Sequence, residues 1–174
     1  DIAAISPSEE GFTVTSRAGA RMAARRVIIA TGGKTYPSFG SDGSGFALAR
    51  ALGHTVIEPV PVAVPVVTKD PLCQPLQGQK VFASAKALIR GACKAESDGE
   101  LLFTKYGLSG TAILDISRPV SIALNRHKER DIHVAIDLVP FMKEGELRAA
   151  LESRVNERRP QEDLLVGILP NKFG

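Results

Sequence analysis

The sequence predicts an α+β fold, because strand-like and helix-like patterns occupy different parts of the chain. Residues 1–30 contain short apolar stretches divided by turn residues, and residues 80–138 contain longer stretches of β type. Residues 139–174 instead carry apolar residues at helical spacing. With 174 residues and 44% hydrophobic content, the chain has enough apolar side chains to form a core.

Three short strands are predicted at the amino end, where they form an antiparallel meander. They cover residues 2–5, 12–15 and 21–30, and the turns between them are rich in Ser and Gly. The third strand ends in four consecutive apolar residues, Val27 to Ala30, which is typical of a strand buried on both faces.

A glycine segment follows this strand. Gly32 and Gly33, directly after Thr31, have no side chains and let the main chain approach another group closely. A strand, a glycine turn and the start of a helix can together bind an anion. The same arrangement occurs in α/β proteins without any ligand, and the segment lacks both the GxGxxG and the P-loop pattern.

A helix is predicted next, with Ser41 or Asp42 as its cap. It starts near Gly43 and ends at Gly53, a residue type that commonly terminates helices. Its apolar face consists of Phe46, Ala49 and Leu52.

The middle of the chain is predicted to be β-rich, and a change of composition after Gly53 marks a domain boundary. Residues 55–67 are rich in Val and include three prolines, so they belong to a sheet edge or an extended arm. The predicted strands cover residues 80–89, 92–95 and 101–104, with a hairpin turn at residues 97–99. The clearest strand covers residues 131–138, where every even position is apolar, and His133 then lies on its solvent face.

A turn between these strands is predicted to lie on a loop, where ligand contacts are usual. It comprises Tyr106, Gly107, Leu108, Ser109 and Gly110. Ser109 can cap a short helix over residues 111–117 that Arg118 and Pro119 end. A tight turn with an ordinary cap explains the same residues without a ligand.

The carboxy-terminal part is predicted to form two helices separated by Pro160. The first carries Leu147, Ala150, Leu151 and Val155, and the second carries Leu164, Leu165, Ile168 and Leu169. Because the chain starts with Asp1 and stops just after this helical pattern, we expect it to be an internal piece of a longer protein.

Composition excludes several classes of function. A net charge of +3, with both signs scattered along the chain, argues against a dedicated nucleic-acid surface. No long apolar run or signal peptide is present, so we expect no membrane association and a cytoplasmic location. Cys73 and Cys93 are expected to be reduced thiols, and the three histidines form no metal set. The charged run at residues 126–130 is most simply a solvated loop tip.

Two blocks carry a family resemblance. The first runs from Ala30 to Pro37 and continues through the glycine-rich turn to His54, and the second runs from Gly99 to Leu114. Both blocks, in this order, resemble the bacterial NAD(FAD)-utilising dehydrogenase flavoproteins. Lys105 stands where that family usually has His, and Thr111 where it usually has Pro, so this chain has no His at that position.

The resemblance implies an architecture of three parts. Residues 1–53 would be a partial FAD-binding α/β domain, residues 54–138 a β-barrel-like insert, and residues 139–174 a truncated helical segment. It also implies an FAD-dependent oxidoreductase that transfers hydride between flavin and a small-molecule substrate, such as an unsaturated carbonyl compound. NAD(P)H is a candidate electron donor, and the isolated piece is expected to bind flavin poorly and to be inactive.

The site residues follow from the same resemblance. Those assigned to the cofactor are Ala30, Thr31, Gly32, Gly33, Ser41, Gly43 and Gly45. Those assigned to a candidate active-site loop are Tyr106, Gly107, Ser109 and Gly110. No catalytic constellation is evident, which suits a flavoenzyme because the cofactor carries the redox chemistry. The alternative is a non-catalytic β-rich module that binds RNA or a protein, against which the small number of aromatic residues counts.

Overall fold

The computed structural model describes residues 1–173, and the chain divides into two compact units. The first is Asp1–Pro59 and the second is Val60–Gly174. The sequence-based division falls slightly earlier, after residue 53. Among the described residues, no helix is both long and apolar enough to cross a bilayer.

The first unit begins with the predicted meander. Strands β1 (Ile2–Ser8), β2 (Gly11–Ser16) and β3 (Arg21–Ala24) form an antiparallel sheet in the order β1-β2-β3. Ile5, 6% exposed, is the buried side chain of β1. The alternation of apolar residues and turns therefore predicted this part correctly.

The extension of the third strand to Ala30 was wrong. Strand β3 ends at Ala24, and Val27–Ala30 pairs with no strand among residues 1–173. Ile28 is 90% exposed instead of covered on both faces. An apolar run becomes a buried strand only when neighbouring strands take up its N–H and C=O groups, and the first unit places none beside it.

The helix after the glycine segment forms where the sequence predicted it. Helix α1 covers Ser44–Ala51, and its N-cap Gly43 has a left-handed conformation at φ 85°. Gly53, with φ 86°, donates its N–H to the Arg50 carbonyl and ends the helix. The side chain of Leu48 is the one that α1 buries.

The second unit is a five-stranded antiparallel sheet that curls into a half-barrel. Its strands lie in the order β4-β7-β6-β5-β8. They are β4 (Val66–Val67), β5 (Lys80–Ile89), β6 (Ala92–Thr104), β7 (Gly107–Ser109) and β8 (Ile132–Asp137). Strand β4 lies at one edge, as the proline-rich arm before it predicted, and β8 shows the expected alternation of half-buried and exposed residues.

The predicted hairpin turn at residues 97–99 was wrong. Strand β6 runs without interruption through this stretch, and Gly99 pairs with Ala83 of β5. The chain instead reverses at Arg90 and Gly91, whose φ values of 51° and 72° are both left-handed. Two such residues make the tight turn whose twist suits a β-hairpin.

Helix α2 (Thr111–Asn125) packs against β5 and β6 and is longer than predicted. Ser109 belongs to β7, so Gly110 is the N-cap, and Pro119 lies inside the helix instead of ending it. Pro119 removes one main-chain hydrogen bond. Burial of Ile113, Ile116 and Val120 against the alanines of β5 offsets that loss and keeps the helix continuous.

The carboxy-terminal helices were predicted only in part. Helix α3 covers Glu144–Asn156 as expected. The second predicted helix was wrong, because the described segment after Pro160 forms 3-10 turns at Gln161–Asp163 and Asn171–Phe173 and an isolated bridge between Val166 and Leu169. Gly167 has φ 79°, which interrupts a right-handed helix.

Candidate functional site

The glycine segment of the first unit presents open main chain. Gly32 has φ 75°, and the N–H groups of Thr31, Gly32 and Gly33 donate no hydrogen bond within the described part of the chain. A β-carbon built on Gly33 would have no atom within 4 Å, whereas one on Gly32 would lie 3.0 Å from the Ser41 hydroxyl oxygen. Unpaired donors beside open space leave room for a ligand to lie against the main chain.

Gly45 is explained by packing. A β-carbon there would lie 2.0 Å from the Thr31 hydroxyl oxygen and 3.2 Å from Cγ2 of Ile29. The absence of a side chain at Gly45 therefore lets the start of α1 approach the glycine segment, and Gly45 itself is buried. Its assignment to the cofactor stays a prediction.

The amino end of α1 already holds a carboxylate. Oδ1 of Asp42 accepts a hydrogen bond of 2.9 Å from the Ser44 N–H. This main-chain donor, more than the Ser44 hydroxyl, lowers the pKa of the Asp42 carboxyl below its ordinary value. The predicted cap was therefore wrong, because the N-cap is Gly43 and neither Ser41 nor Asp42. Asp42, one residue earlier, still accepts the Ser44 N–H, and an anion at this helix end would meet its negative charge.

One cation near the glycine segment was missed in the sequence analysis. The aliphatic part of Lys34 lies 3.4 Å from the position of a β-carbon on Gly43. The side chain of Lys34 is exposed, so its ammonium group is available to an anionic ligand. The sequence feature that could have identified Lys34 is its position directly after Gly32 and Gly33.

The second predicted set, at Tyr106 to Gly110, lies mostly within the sheet and not on a loop. Gly107 and Ser109 belong to β7, and a β-carbon on Gly107 would lie 2.1 Å from the Val66 carbonyl oxygen. A β-carbon on Gly110 would lie 2.2 Å from the Glu100 carbonyl oxygen. Both glycines thus permit close contacts between main chains, and only Tyr106, 66% exposed, presents its side chain to solvent.

The other titratable groups of residues 1–173 do not assemble into a centre. No cluster of metal-ligating side chains occurs among residues 1–173. Nε2 of His133 lies 3.1 Å from Oδ1 of Asp131 on the exposed face of β8, which is the solvated arrangement that the sequence favoured. Both cysteines are free, as expected. Burial raises the pKa of the Cys73 thiol, with a smaller contribution from the charge of Asp70.

Comparison with known proteins identifies relatives of the whole chain. The model of a family described as HI0933-like protein barrel and H2TH domain matches residues 60–174. The chain is 36% identical, over 99% of its length, to a 3-dehydro-bile acid delta(4,6)-reductase of Clostridium scindens, of which it covers 42%.

Two ribosomal RNA dihydrouridine synthases are more distant relatives. The protein of Haemophilus influenzae is 30% identical over 86% of the chain, and that of Escherichia coli is 31% identical over 91%. The chain covers 34% and 36% of their lengths. It thus spans about two fifths or less of the relatives that it matches.

Proposed function

The chain belongs to the HI0933-like family of flavoproteins, and on this premise we propose that it acts, within its whole protein, as an FAD-dependent oxidoreductase. The proposed reaction reduces a carbon–carbon double bond conjugated to a carbonyl group. Net addition of a hydride and a proton saturates the bond, while a nicotinamide donor, NAD(P)H, is oxidised.

The observation that supports this proposal best is the open main chain at Thr31–Gly33. Its N–H groups have no acceptor in the described part of the chain, and no side chain fills the space beside Gly33. A flat, phosphate-linked cofactor needs close approach to main-chain donors, so these residues fit the group. When bound, FAD would supply the hydride chemistry that the side chains of this chain lack.

The residues of the first unit would have distinct tasks. The main chain of Ala30 to Gly33 would lie against the cofactor, and the Ser41 hydroxyl beside Gly32 could offer it a hydrogen bond. Lys34 would offer a positive charge to a phosphate group. Gly45 would act indirectly, since its packing against Thr31 holds the segment in place.

The relatives' names support the class of reaction. A delta(4,6)-reductase of a dehydro-bile acid and a dihydrouridine synthase both add hydrogen to carbon–carbon double bonds. They differ in substrate, which is a steroid in one case and a uridine of ribosomal RNA in the other. Both remain candidate substrate classes for this protein.

The test uses the whole protein that contains this chain. We expect the purified protein to be yellow, to release FAD on denaturation and to be bleached by NADH or NADPH under anaerobic conditions. Addition of an α,β-unsaturated ketone or a uridine-containing RNA should restore the oxidised absorbance if it is the substrate. A colourless protein that takes up no FAD would overturn the proposal.

A substitution at Gly33 makes the test specific. Gly33→Val should leave folding intact, because Gly33 has open space around it and lies outside the left-handed region. It should reduce the amount of bound FAD at least tenfold, because the new side chain would occupy the cofactor's place. Gly145→Val, at another open glycine outside the left-handed region, in α3 of the second unit, serves as the control and should retain FAD. Equal FAD content in both variants would exclude Gly33 from the site.

A further inference from the structure

A cluster of cations lies at one end of the half-barrel. The β5–β6 turn contributes Arg90, and the loop between α2 and β8 contributes Arg126, Lys128 and Arg130. We call these four residues the basic rim. All four are exposed, and among the residues that the structure describes no carboxylate forms an ion pair with Lys128 or Arg130.

Hydrogen bonds hold the two loops of the basic rim together. The Arg90 N–H donates to the Asp131 carbonyl at 3.0 Å, and the Arg90 guanidinium pairs with Glu129. The Glu129 carboxylate also accepts the N–H groups of Arg130 and Asp131, at 2.7 and 3.0 Å. Glu129 is thus occupied as an internal brace, its side chain only 14% exposed. The cations are therefore presented on a fixed frame and not on independent flexible loops.

We propose that the basic rim binds the phosphate backbone of an RNA substrate. This inference rests on the proposed function and selects the RNA class of the two substrate classes named above. A steroid carries at most a few charges, whereas an RNA strand presents a phosphate at every nucleotide and so can engage several spaced cations together.

The inference departs from the expectation, drawn from sequence, that nucleic acid is not a partner. That expectation considered net charge, which is only +3, and a small number of aromatic residues. The structure adds the position of the charges, because cations separated in sequence meet at one end of the second unit. Of the two acids in the same loop, Glu129 is engaged by Arg90, and Asp131 lies 3.1 Å from Nε2 of His133. Local concentration of positive charge, and not net charge, determines where a phosphate backbone binds.

Phosphate contacts of Lys128 and Arg130, the two cations of the basic rim that pair with no described carboxylate, predict a measurable salt dependence. Each contact lowers the slope of log K against log salt by about 0.7–0.9, so the slope should be roughly −1.6. Between 50 and 200 mM salt, the affinity should then fall by about 7- to 12-fold. A steroid-size ligand bound by apolar contacts would show almost no such dependence.

The experiment measures fluorescence anisotropy of a labelled RNA hairpin with uridines in its loop, titrated with this chain at several salt concentrations. The double variant Lys128→Gln/Arg130→Gln should weaken binding at least tenfold at low salt and reduce the magnitude of the slope by about 1.6. The control Arg21→Gln/Arg118→Gln removes the same charge from exposed positions outside the rim and should bind like the unchanged chain. Circular dichroism verifies that each variant is folded.

Several results would overturn the inference. The chain could fail to bind RNA at low salt, or the rim and control variants could lose binding equally. The chain could also bind phosphatidylglycerol vesicles but not RNA. The assay requires neither flavin nor turnover. Loss of RNA binding would therefore leave the proposed redox function standing, and absence of FAD would leave a positive binding result standing.

Discussion

Thr31 and Gly45 lie so close together that a β-carbon on Gly45 would be 2.0 Å from the Thr31 hydroxyl oxygen. Gly45 is buried in the first turn of α1, so the contact joins that helix to the glycine segment. The sequence suggested Gly45 as a ligand contact, but packing against Thr31 also explains why this position is a glycine.

The first prediction is that Gly45→Ala destabilises the chain. Overpacking at a contact of this kind costs about 1–3 kcal/mol, which outweighs the smaller gain of Ala over Gly in a helix. Guanidinium unfolding followed by circular dichroism measures the change. Gly33→Ala is the matched control, since it adds the same methyl group where nothing lies within 4 Å.

A second substitution identifies the cause. Thr31→Ala in the Gly45→Ala background removes the hydroxyl oxygen and leaves the nearest Thr31 atom, its β-carbon, 3.3 Å away. We expect it to recover part of the lost free energy of unfolding. If the two substitutions are simply additive, the contact between Thr31 and Gly45 does not limit stability.

Gly110 gives the second prediction, in which overlap with other atoms adds to backbone strain. Gly110 and Gly78 both have left-handed φ values, 93° and 84°. Only Gly110 faces other atoms, because its β-carbon would lie 2.2 Å from the Glu100 carbonyl oxygen. Gly78→Ala should cost about 1–2 kcal/mol of unfolding free energy from conformation alone. Gly110→Ala should cost at least about 3 kcal/mol, because its φ of 93° with ψ of 167° is essentially confined to glycine and because β6 or α2 must also move.

Equal costs for the two variants in guanidinium unfolding would contradict this prediction. They would mean that the start of α2 can shift away from β6 without loss. Retention of the α2 contacts can be followed by hydrogen exchange at the amides of Ile116 and Val120, both buried in the core.

The order of elements was largely predictable from sequence, because it depends on local patterns. The meander, the end of α1 at Gly53 and the alternation along β8 each arise from residues near one another in the chain. The misplaced hairpin shows the limit. Asp98-Gly99 is a strong local turn signal, yet Gly99 is needed inside β6 because Thr111 Oγ1 would lie 2.5 Å from a β-carbon there. Tertiary packing therefore overrode the turn preference.

The candidate site was predictable to a smaller degree. The Thr-Gly-Gly motif predicted that the main chain at Gly33 is open to a ligand. The close main-chain contacts at Gly107 and Gly110 could not be predicted, because they involve β4 and β6, which are distant in sequence. The pairing of Arg90 with Glu129 joins residues far apart in sequence, and no local pattern indicates it.

The two thiols give the third prediction, a difference in reactivity. Cys93 is exposed, whereas Cys73 is 4% exposed and burial raises its pKa. Because the thiolate is the reactive form, we expect a fast and a slow phase with Ellman's reagent at neutral pH. Cys93→Ser should abolish the fast phase, and Cys73→Ser the slow one. A single rate for both thiols would show that the core around Cys73 opens freely.

Glu129 gives the last prediction, an acid-dependent loss of stability. The N–H of Asp131, the Arg90 guanidinium and the N–H of Arg130, in that order, lower the pKa of the Glu129 carboxyl from 4.5 to about 2. A pKa lowered by folding means that the carboxylate stabilises the folded state above pH 4.5, and that this contribution is lost as pH falls from 4.5 toward 2.

Glu129→Gln should therefore lower the free energy of unfolding at pH 7, and the difference from the unchanged chain should shrink as the pH falls below 4.5. Urea unfolding at a series of pH values measures both curves. Glu152→Gln, at an exposed position of α3, is the control and should leave the two curves parallel. The difference in unfolding free energy between Glu129→Gln and the unchanged chain could instead stay constant down to pH 2. The charge of Glu129 would then contribute nothing to holding the β5–β6 turn against the loop before β8, and its stabilising effect would come from packing and uncharged hydrogen bonds.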